Sequence, residues 1–159
     1  MATWFTTTTC GKLLLTFLIS MLPVVELRGG LPAGIAMGLS YSGALCAAIL
    51  GNLFPVPFII VYLERFLSAL KKHSRRFSEI SGKLEHRAHL KGRIVKKYSA
   101  VGLFLLVAIP LPGTGAWTGA LVAVVLGMEM RRAFPMIILG VIAAAVIISG
   151  IATGVAYLI

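Results

Sequence analysis

Two ionisable residues that could do chemistry, Glu26 and Arg28, stand two positions apart in an otherwise apolar stretch. Burying either charge in lipid is expensive, so an ionisable residue at membrane depth is first of all a functional candidate. A carboxyl group in a low-dielectric cavity favours its neutral form and can exchange a proton near neutral pH. An arginine stays charged and can hold a phosphate or carboxylate through two hydrogen bonds. The two residues could instead form an ion pair that locks a hairpin, or both could reach the membrane interface.

Helix breakers follow this pair directly, namely Gly29, Gly30 and Pro32. Glycine frees the backbone and proline removes an N–H donor, so we expect no regular helix immediately after Arg28. The pair is then predicted to lie at a helix end, where free backbone groups help to satisfy the two charges.

A second segment rich in proline and glycine, from Pro110 to Gly119, interrupts a later apolar stretch. It cannot continue a helix, and backbone N–H groups at the start of a following helix make an anion site. Trp117 could close a cavity or lie at the membrane interface, and we favour a packing role. Asn52 either packs between helices or faces the same cavity. The candidate binding residues of this segment are Pro110, Pro112, Gly113, Thr114, Gly115, Trp117 and Thr118.

The composition predicts that a membrane surrounds these segments. The 159 residues are 58% hydrophobic and 13% charged, and the mean hydropathy is +0.97, whereas a soluble domain carries about 25% charged residues. Eleven of the 15 basic residues lie from Arg65 to Lys97, as expected of a cytoplasmic segment under the positive-inside rule rather than of a nucleic-acid surface. We expect residues 64–97 to form amphipathic helices on anionic headgroups or a solvated loop, two compatible interpretations.

The lengths of the uncharged runs predict broken helices. These runs cover residues 13–25, 29–63, 98–128 and 133–159, and a simple span needs about 20 residues. The second and third runs are too long for one span and too short for two, which favours re-entrant hairpins in at least part of each half. Residues 13–25 resemble the apolar core of a secretory signal, but no cleavage pattern follows, so we expect this segment to be retained.

Two glycine spacings recur in the two halves. A spacing of four is followed by a spacing of thirteen in each, so we predict two inverted repeats, residues 11–63 and 98–159, each with a re-entrant hairpin and a transmembrane helix. The matched pairs are Gly30/Gly34 with Gly115/Gly119, and Gly38/Gly51 with Gly127/Gly140. The fold class is therefore an all-α integral membrane protein whose halves are joined by the basic segment 64–97.

Three strings together resemble the prokaryotic small multidrug export protein family: PVVELRGGLP at residues 23–32, Gly51-Asn52, and IPLPGTGAWTG at residues 109–119. That family is similar, more distantly, to the DedA or VTT-domain proteins, which are implicated in moving polyprenyl phosphate lipids with the proton gradient. This resemblance implies facing hairpins, with Glu26 as the proton-linked acid and Arg28 as the phosphate-facing cation. DedA-type proteins carry an arginine in the second hairpin as well. The sequence departs from this pattern because residues 103–128 carry no charge.

The expected function is a proton-coupled transporter or flippase of an anionic lipid such as undecaprenyl phosphate. A proton-coupled exporter of cationic drugs, using Glu26 without Arg28, is the alternative, and a non-transporting membrane scaffold is a second one. The expected binding residues of the first half are Arg28, Gly29, Gly30, Pro32 and Asn52. We expect neither an enzyme nor a cofactor, metal or nucleic-acid partner, and a multi-pass location in the cytoplasmic membrane with a homodimer as one assembly.

Overall fold

The computed structural model describes residues 8–73, 92–111 and 113–158, and within these ranges the chain is helical with no strand. Short turns separate consecutive helices in each half. The helices are α1 (Thr9–Ser20), α2 (Glu26–Ala36), α3 (Tyr41–Leu53), α4 (Pro55–His73), α5 (Gly92–Ala108), α6 (Ala116–Val125) and α7 (Met130–Leu158). Residues 74–91, the centre of the predicted basic segment, lie outside the described ranges, as does Pro112.

Two helical stretches are long and apolar enough to cross a bilayer. Tyr41–Phe66 joins α3 and α4 across the single residue Phe54, and Met130–Ile151 makes up most of α7, with mean hydropathies of 2.2 and 2.6. Only 44% and 28% of their most apolar windows are buried inside the protein, so their outer faces are available to lipid. The 12 residues of α1 and the 10 of α6 reach about 18 and 15 Å at 1.5 Å per residue, short of the roughly 30 Å hydrocarbon core.

The prediction of no regular helix directly after Arg28 is wrong. Gly29, Gly30 and Pro32 all lie inside α2, and the chain instead breaks earlier, at residues 21–25. The glycines serve packing here, because a Cβ on Gly30 would lie 1.8 Å from the Ser20 hydroxyl of α1. Pro32 is exposed, and its ring leaves one helix hydrogen bond unmade.

The turns that end α2 and α6 have the same pattern of hydrogen bonds. Gly38 after α2 and Gly127 after α6 have φ of 81° and 62°, a left-handed conformation that glycine adopts without strain. Each turn is a Schellman motif, which satisfies the last carbonyls of its helix. The paired bonds are Leu39 N–H to Gly34 O and Gly38 N–H to Ile35 O, and Met128 N–H to Ala123 O and Gly127 N–H to Val124 O.

Gly51 of α3 and Gly140 of α7 allow these two helices to approach their neighbours closely. A Cβ on Gly51 of α3 would lie 2.2 Å from the Phe17 carbonyl oxygen of α1. A Cβ on Gly140 of α7 would lie 2.6 Å from Val107 Cβ and 3.1 Å from the Phe104 carbonyl oxygen of α5. These two glycines of matched spacing therefore occupy equivalent close contacts, one in each half.

The halves are packed together through their apolar faces. Val56 and Ile60 of α4 lie in one buried cluster with residues of α5, α6 and α7. Leu27 and Leu31 of α2 lie in a second cluster with α3 and with Ala145 of α7. Helix α4 of the first half thus packs against α6 of the second half, and α7 of the second half packs against α2 of the first. These contacts bring the loops before α2 and before α6 together.

Candidate functional site

The site lies where two helices of opposite halves, α2 and α6, begin, each directly after a loop. Loop 1 comprises residues 21–25, between α1 and α2, and loop 2 comprises the described residues 109–111 and 113–115, between α5 and α6. The indole N–H of Trp117, in the first turn of α6, donates to the Met21 carbonyl at 3.0 Å. Trp117 therefore packs, as favoured from the sequence, and its polar atom satisfies a carbonyl at the end of α1.

Arg28 joins the loops from the other side. Its guanidinium group donates to the carbonyl oxygens of Leu111 and Thr114 and lies 3.2 Å from the Thr114 hydroxyl. A guanidinium fork can serve several acceptors at once without losing its charge. The positive group of the first half thus binds two backbone carbonyls of loop 2, and the Leu111 carbonyl also accepts the Thr114 N–H at 3.1 Å.

Thr114 holds loop 2 in shape. Its hydroxyl lies 2.8 Å from the Ile109 carbonyl and 2.9 Å from the Leu111 carbonyl, and it accepts the Leu111 N–H at 3.1 Å. Thr118 donates to the Gly113 carbonyl at 2.8 Å, and Gly113 has φ of 85°, which suits glycine. Both threonine hydroxyls are therefore engaged within the second half.

Glu26 is the one charged side chain among the described residues that is buried, at 7% exposure. Its carboxylate accepts the backbone N–H of Trp117 and lies near Arg28, so it sits at the N-terminus of α6, where a helix favours negative charge. Glu26 also has φ of 49°, a left-handed conformation that is strained for residues other than glycine. Strain of this kind persists where the surrounding contacts hold it, and functional sites are common places for it.

Gly115 makes the close approach of Glu26 possible. A Cβ at this position would lie 1.8 Å from Glu26 Oε2 and 2.5 Å from both Oε1 and Cδ. Any larger residue would therefore displace the carboxylate from the start of α6.

A small cavity adjoins the carboxylate and is lined in part by Asn52. The cavity has a volume of about 10 Å³, the room for one water molecule. Asn52 is 3% exposed, and its Oδ1 atom has no hydrogen-bond partner. Of the two alternatives left open by the sequence, Asn52 faces the cavity.

The structure brings some predicted residues together and leaves others apart. Glu26, Arg28, Asn52 and Gly115 line the cavity, and Thr114 contacts it through Arg28. Gly29, Gly30 and Pro32 lie along α2 away from the lining. Pro110 and Gly113 shape loop 2, and Pro112 falls outside the described residues. Apolar walls that the sequence did not single out are Leu27, Val107, Ala116, Val141, Ala144 and Ile148, which carry no signal beyond their hydrophobicity.

Replacing Gly115 with alanine is expected to impair the site and also to strain the local backbone, because Gly115 has φ of 158°, which residues with a side chain rarely adopt. The added methyl group meets the mobile end of Glu26 rather than backbone, so the carboxylate turns away and loses the Trp117 N–H. The melting temperature should fall, and proton-dependent transport by reconstituted protein should fall at least tenfold. Gly127→Ala is the control, because its φ of 62° also disfavours alanine but nothing lies within 4 Å of its added Cβ, so it should lower the melting temperature and leave transport unchanged. A fully active Gly115→Ala protein would contradict this placement of Glu26.

Over the described residues these features define a helical protein with two helices of membrane-spanning length and a buried carboxylate where α2 and α6 begin. A family described as "Putative small multi-drug export protein" matches residues 26–147, about three-quarters of the chain, and the chain belongs to this family. The resemblance drawn from the sequence motifs is thereby confirmed for this family, whereas the DedA likeness is not shown. No curated protein and no solved structure matches the chain. Membrane localisation is consistent with the family and with the two apolar helices.

Proposed function

We propose that this protein is a proton-coupled exporter of small cationic molecules, with Glu26 as the exchanging acid. The observation that carries the proposal is the burial of this single carboxylate where the loops of the two halves meet. The family description supports export of small molecules. An ionisable group at membrane depth is costly, and transporters are a principal setting in which such groups occur.

Protonation of Glu26 would change the contact between the halves. The ionised carboxylate accepts the Trp117 N–H and is attracted by the start of α6 and by Arg28. The neutral acid has lost the charge that makes these contacts strong. Uptake of a proton therefore weakens the contact of α2 with α6 and loop 2. A cationic substrate prefers the ionised carboxylate, so its binding displaces the proton from Glu26.

The geometry favours a cationic substrate over an anionic lipid. Both terminal nitrogens of Arg28 already donate to the Leu111 and Thr114 carbonyls, so a phosphate would compete with these two carbonyls for the guanidinium group. The Asn52 amide oxygen is an unsatisfied acceptor, and the Glu26 carboxylate is negative. The free chemistry of the cavity is thus accepting and anionic, which suits a hydrogen-bond-donating cation.

The equivalent contacts of the halves support a repeated architecture for this exporter. Gly38 and Gly127 form the same turn, and Gly51 and Gly140 make equivalent helix contacts. Helices as short as α1, α2 and α6 suit re-entrant segments whose irregular backbone is buried in protein. Inverted orientation of the repeats, which alternating access would use, is part of the proposal.

Glu26→Gln is expected to abolish transport in reconstituted vesicles. With an imposed pH gradient, uptake of a fluorescent cationic dye should fall at least tenfold, because glutamine keeps the shape and loses the proton. Glu129→Gln is the matched control, since Glu129 lies exposed in the turn before α7. Wild-type rates in Glu26→Gln would refute proton exchange at this residue.

Two further experiments distinguish the cation exporter from an anionic-lipid transporter and from a membrane scaffold. Translocation of a fluorescent polyprenyl phosphate that disappears in Arg28→Ala would favour the anionic-lipid transporter over the cation exporter. A scaffold role predicts that deleting residues 71–97 removes all function while Glu26→Gln does not. The proposed exporter predicts the reverse dependence on Glu26.

A further inference from the structure

An unpaired buried acceptor calls for an explanation. Only 3% of the surface of Asn52 is exposed, and its Oδ1 atom has no hydrogen-bond partner. Such an atom carries its full desolvation cost, so an apolar residue of similar shape would serve the fold as well or better. Buried polar side chains without a partner are rare, which points to a partner that binds here.

The same cavity places Asn52 with the Glu26 carboxyl group. Its volume of about 10 Å³ admits one water-sized group. Arg28 is the one other charged residue among its described lining, and both terminal nitrogens of Arg28 donate to carbonyls of loop 2. The remaining walls, from α5, α6 and α7, offer no titratable side chain. The cavity therefore presents acceptor oxygens of two side chains, one of them charged.

We infer that Glu26 and Asn52 together bind one water-sized cation that donates hydrogen bonds, either hydronium or the ammonium group of an amine substrate. This inference rests on the proposed function and names the chemistry that the exporter recognises. An N–H or O–H donor can bond Asn52 Oδ1 while its charge faces the Glu26 carboxylate. A quaternary ammonium group is too large for the cavity and has no hydrogen to donate.

The chain has two tryptophans, Trp4 and Trp117. The test uses the full chain with Trp4→Phe, so that Trp117 is its only tryptophan. Trp117 contacts Glu26 through its backbone N–H, so its emission reports on occupation of the cavity. At constant pH, ammonium chloride should shift this emission saturably. Tetramethylammonium chloride and sodium chloride at the same concentrations should not. A parallel pH titration without ammonium measures the proton itself and so distinguishes the two sources of the cation.

Asn52→Leu is the decisive variant. It should weaken ammonium binding about fivefold, the equivalent of one hydrogen bond, while its melting temperature equals or exceeds that of the parent chain. Ser42→Leu, an exposed polar-to-leucine change on the same helix α3, should leave the affinity unchanged. Retained stability excludes misfolding as the cause of weaker binding.

Several results would overturn the inference. They are no saturable response to ammonium, an equal response to sodium or tetramethylammonium, or an unchanged ammonium affinity in Asn52→Leu. Failure of the proposed function looks different, because vesicles would then show no Glu26-dependent export although ammonium still bound in an Asn52-dependent manner. Export that depends on Glu26 and is indifferent to Asn52→Leu would leave the exporter standing and remove this site.

Discussion

Replacing Arg28 with methionine is expected to be among the most damaging single changes to this protein. The variant removes the guanidinium donor from the Thr114 carbonyl, removes one of several donors from the Leu111 carbonyl, and leaves the buried Glu26 without its nearby positive charge. Removing one partner of a buried pair costs about 3 kcal/mol, since an uncompensated charge remains. Because Arg28 itself is only half-buried, solvent reaches part of its place and moderates the loss. The melting temperature of the detergent-purified protein should fall by about 10 °C.

The loss should depend on pH and on Glu26. At a pH where Glu26 is ionised, Arg28→Met leaves a buried negative charge, whereas at a pH where Glu26 is protonated only the loop carbonyls lose a partner. The destabilisation should therefore grow as pH rises. The double variant Glu26→Gln/Arg28→Met should be more stable than Arg28→Met alone at high pH, and the difference measures the coupling of the two side chains. Additive losses at every pH would show that Arg28 acts on loop 2 without regard to Glu26.

Much of the molecule's character could be predicted from composition and run length. The all-helical fold, the apolar helices of membrane length and the small multidrug export family are confirmed. Glu26 and Arg28 were singled out because charges are rare in apolar stretches, and burial of Glu26 agrees with that reasoning. Their roles in transport stay a prediction.

The position of the first break could not be read from residue types. Gly29, Gly30 and Pro32 suggested a break after Arg28, yet α2 runs through all three. A glycine either frees a backbone or lets another element approach, and only the neighbouring helix decides which applies. Ser20 and Thr16 of α1 fill the space beside Gly30 and Gly34, so the helix persists.

The meeting of the two loops was likewise a tertiary fact. Arg28 and Thr114 are 86 residues apart in sequence, and the bonds that Arg28 makes to carbonyl oxygens require nothing of the side chains that carry them. Gly115 was predicted as a ligand-binding glycine, but its contact with Glu26 depends on how α2 packs against α6. The sequence marked Glu26, Arg28 and Gly115 as candidates and left their pairing undetermined.

Gly51→Ala is expected to have the largest effect on stability of any glycine replacement in the helices. Its Cβ would lie 2.2 Å from the Phe17 carbonyl oxygen and 3.0 Å from Phe17 Cα. Backbone atoms cannot rotate away as a side chain does, so α1 must move off α3, at a cost of about 3 kcal/mol or more. Such a shift also moves loop 1, and with it Glu26, because α1 leads directly into that loop.

Gly140→Ala and Gly102→Ala complete the comparison. A Cβ on Gly140 would lie 2.6 Å from Val107 Cβ and 3.1 Å from the Phe104 carbonyl oxygen. These contacts are longer than the 2.2 Å contact of Gly51, so this loss should be smaller, about 1–3 kcal/mol. Nothing lies within 4 Å of a Cβ on Gly102 in α5, and alanine there should stabilise the helix by up to about 1 kcal/mol. Melting temperatures of the purified variants should therefore fall in the order Gly102→Ala, Gly140→Ala, Gly51→Ala. If Gly51→Ala and Gly140→Ala both melted like Gly102→Ala, the close helix contacts that place the two loops together would be wrong.

If the two losses appear in the expected order, the two halves have equivalent packing. The chemistry of the halves still differs, because the first half supplies the side chains of Glu26, Arg28 and Asn52, while the second half supplies backbone groups.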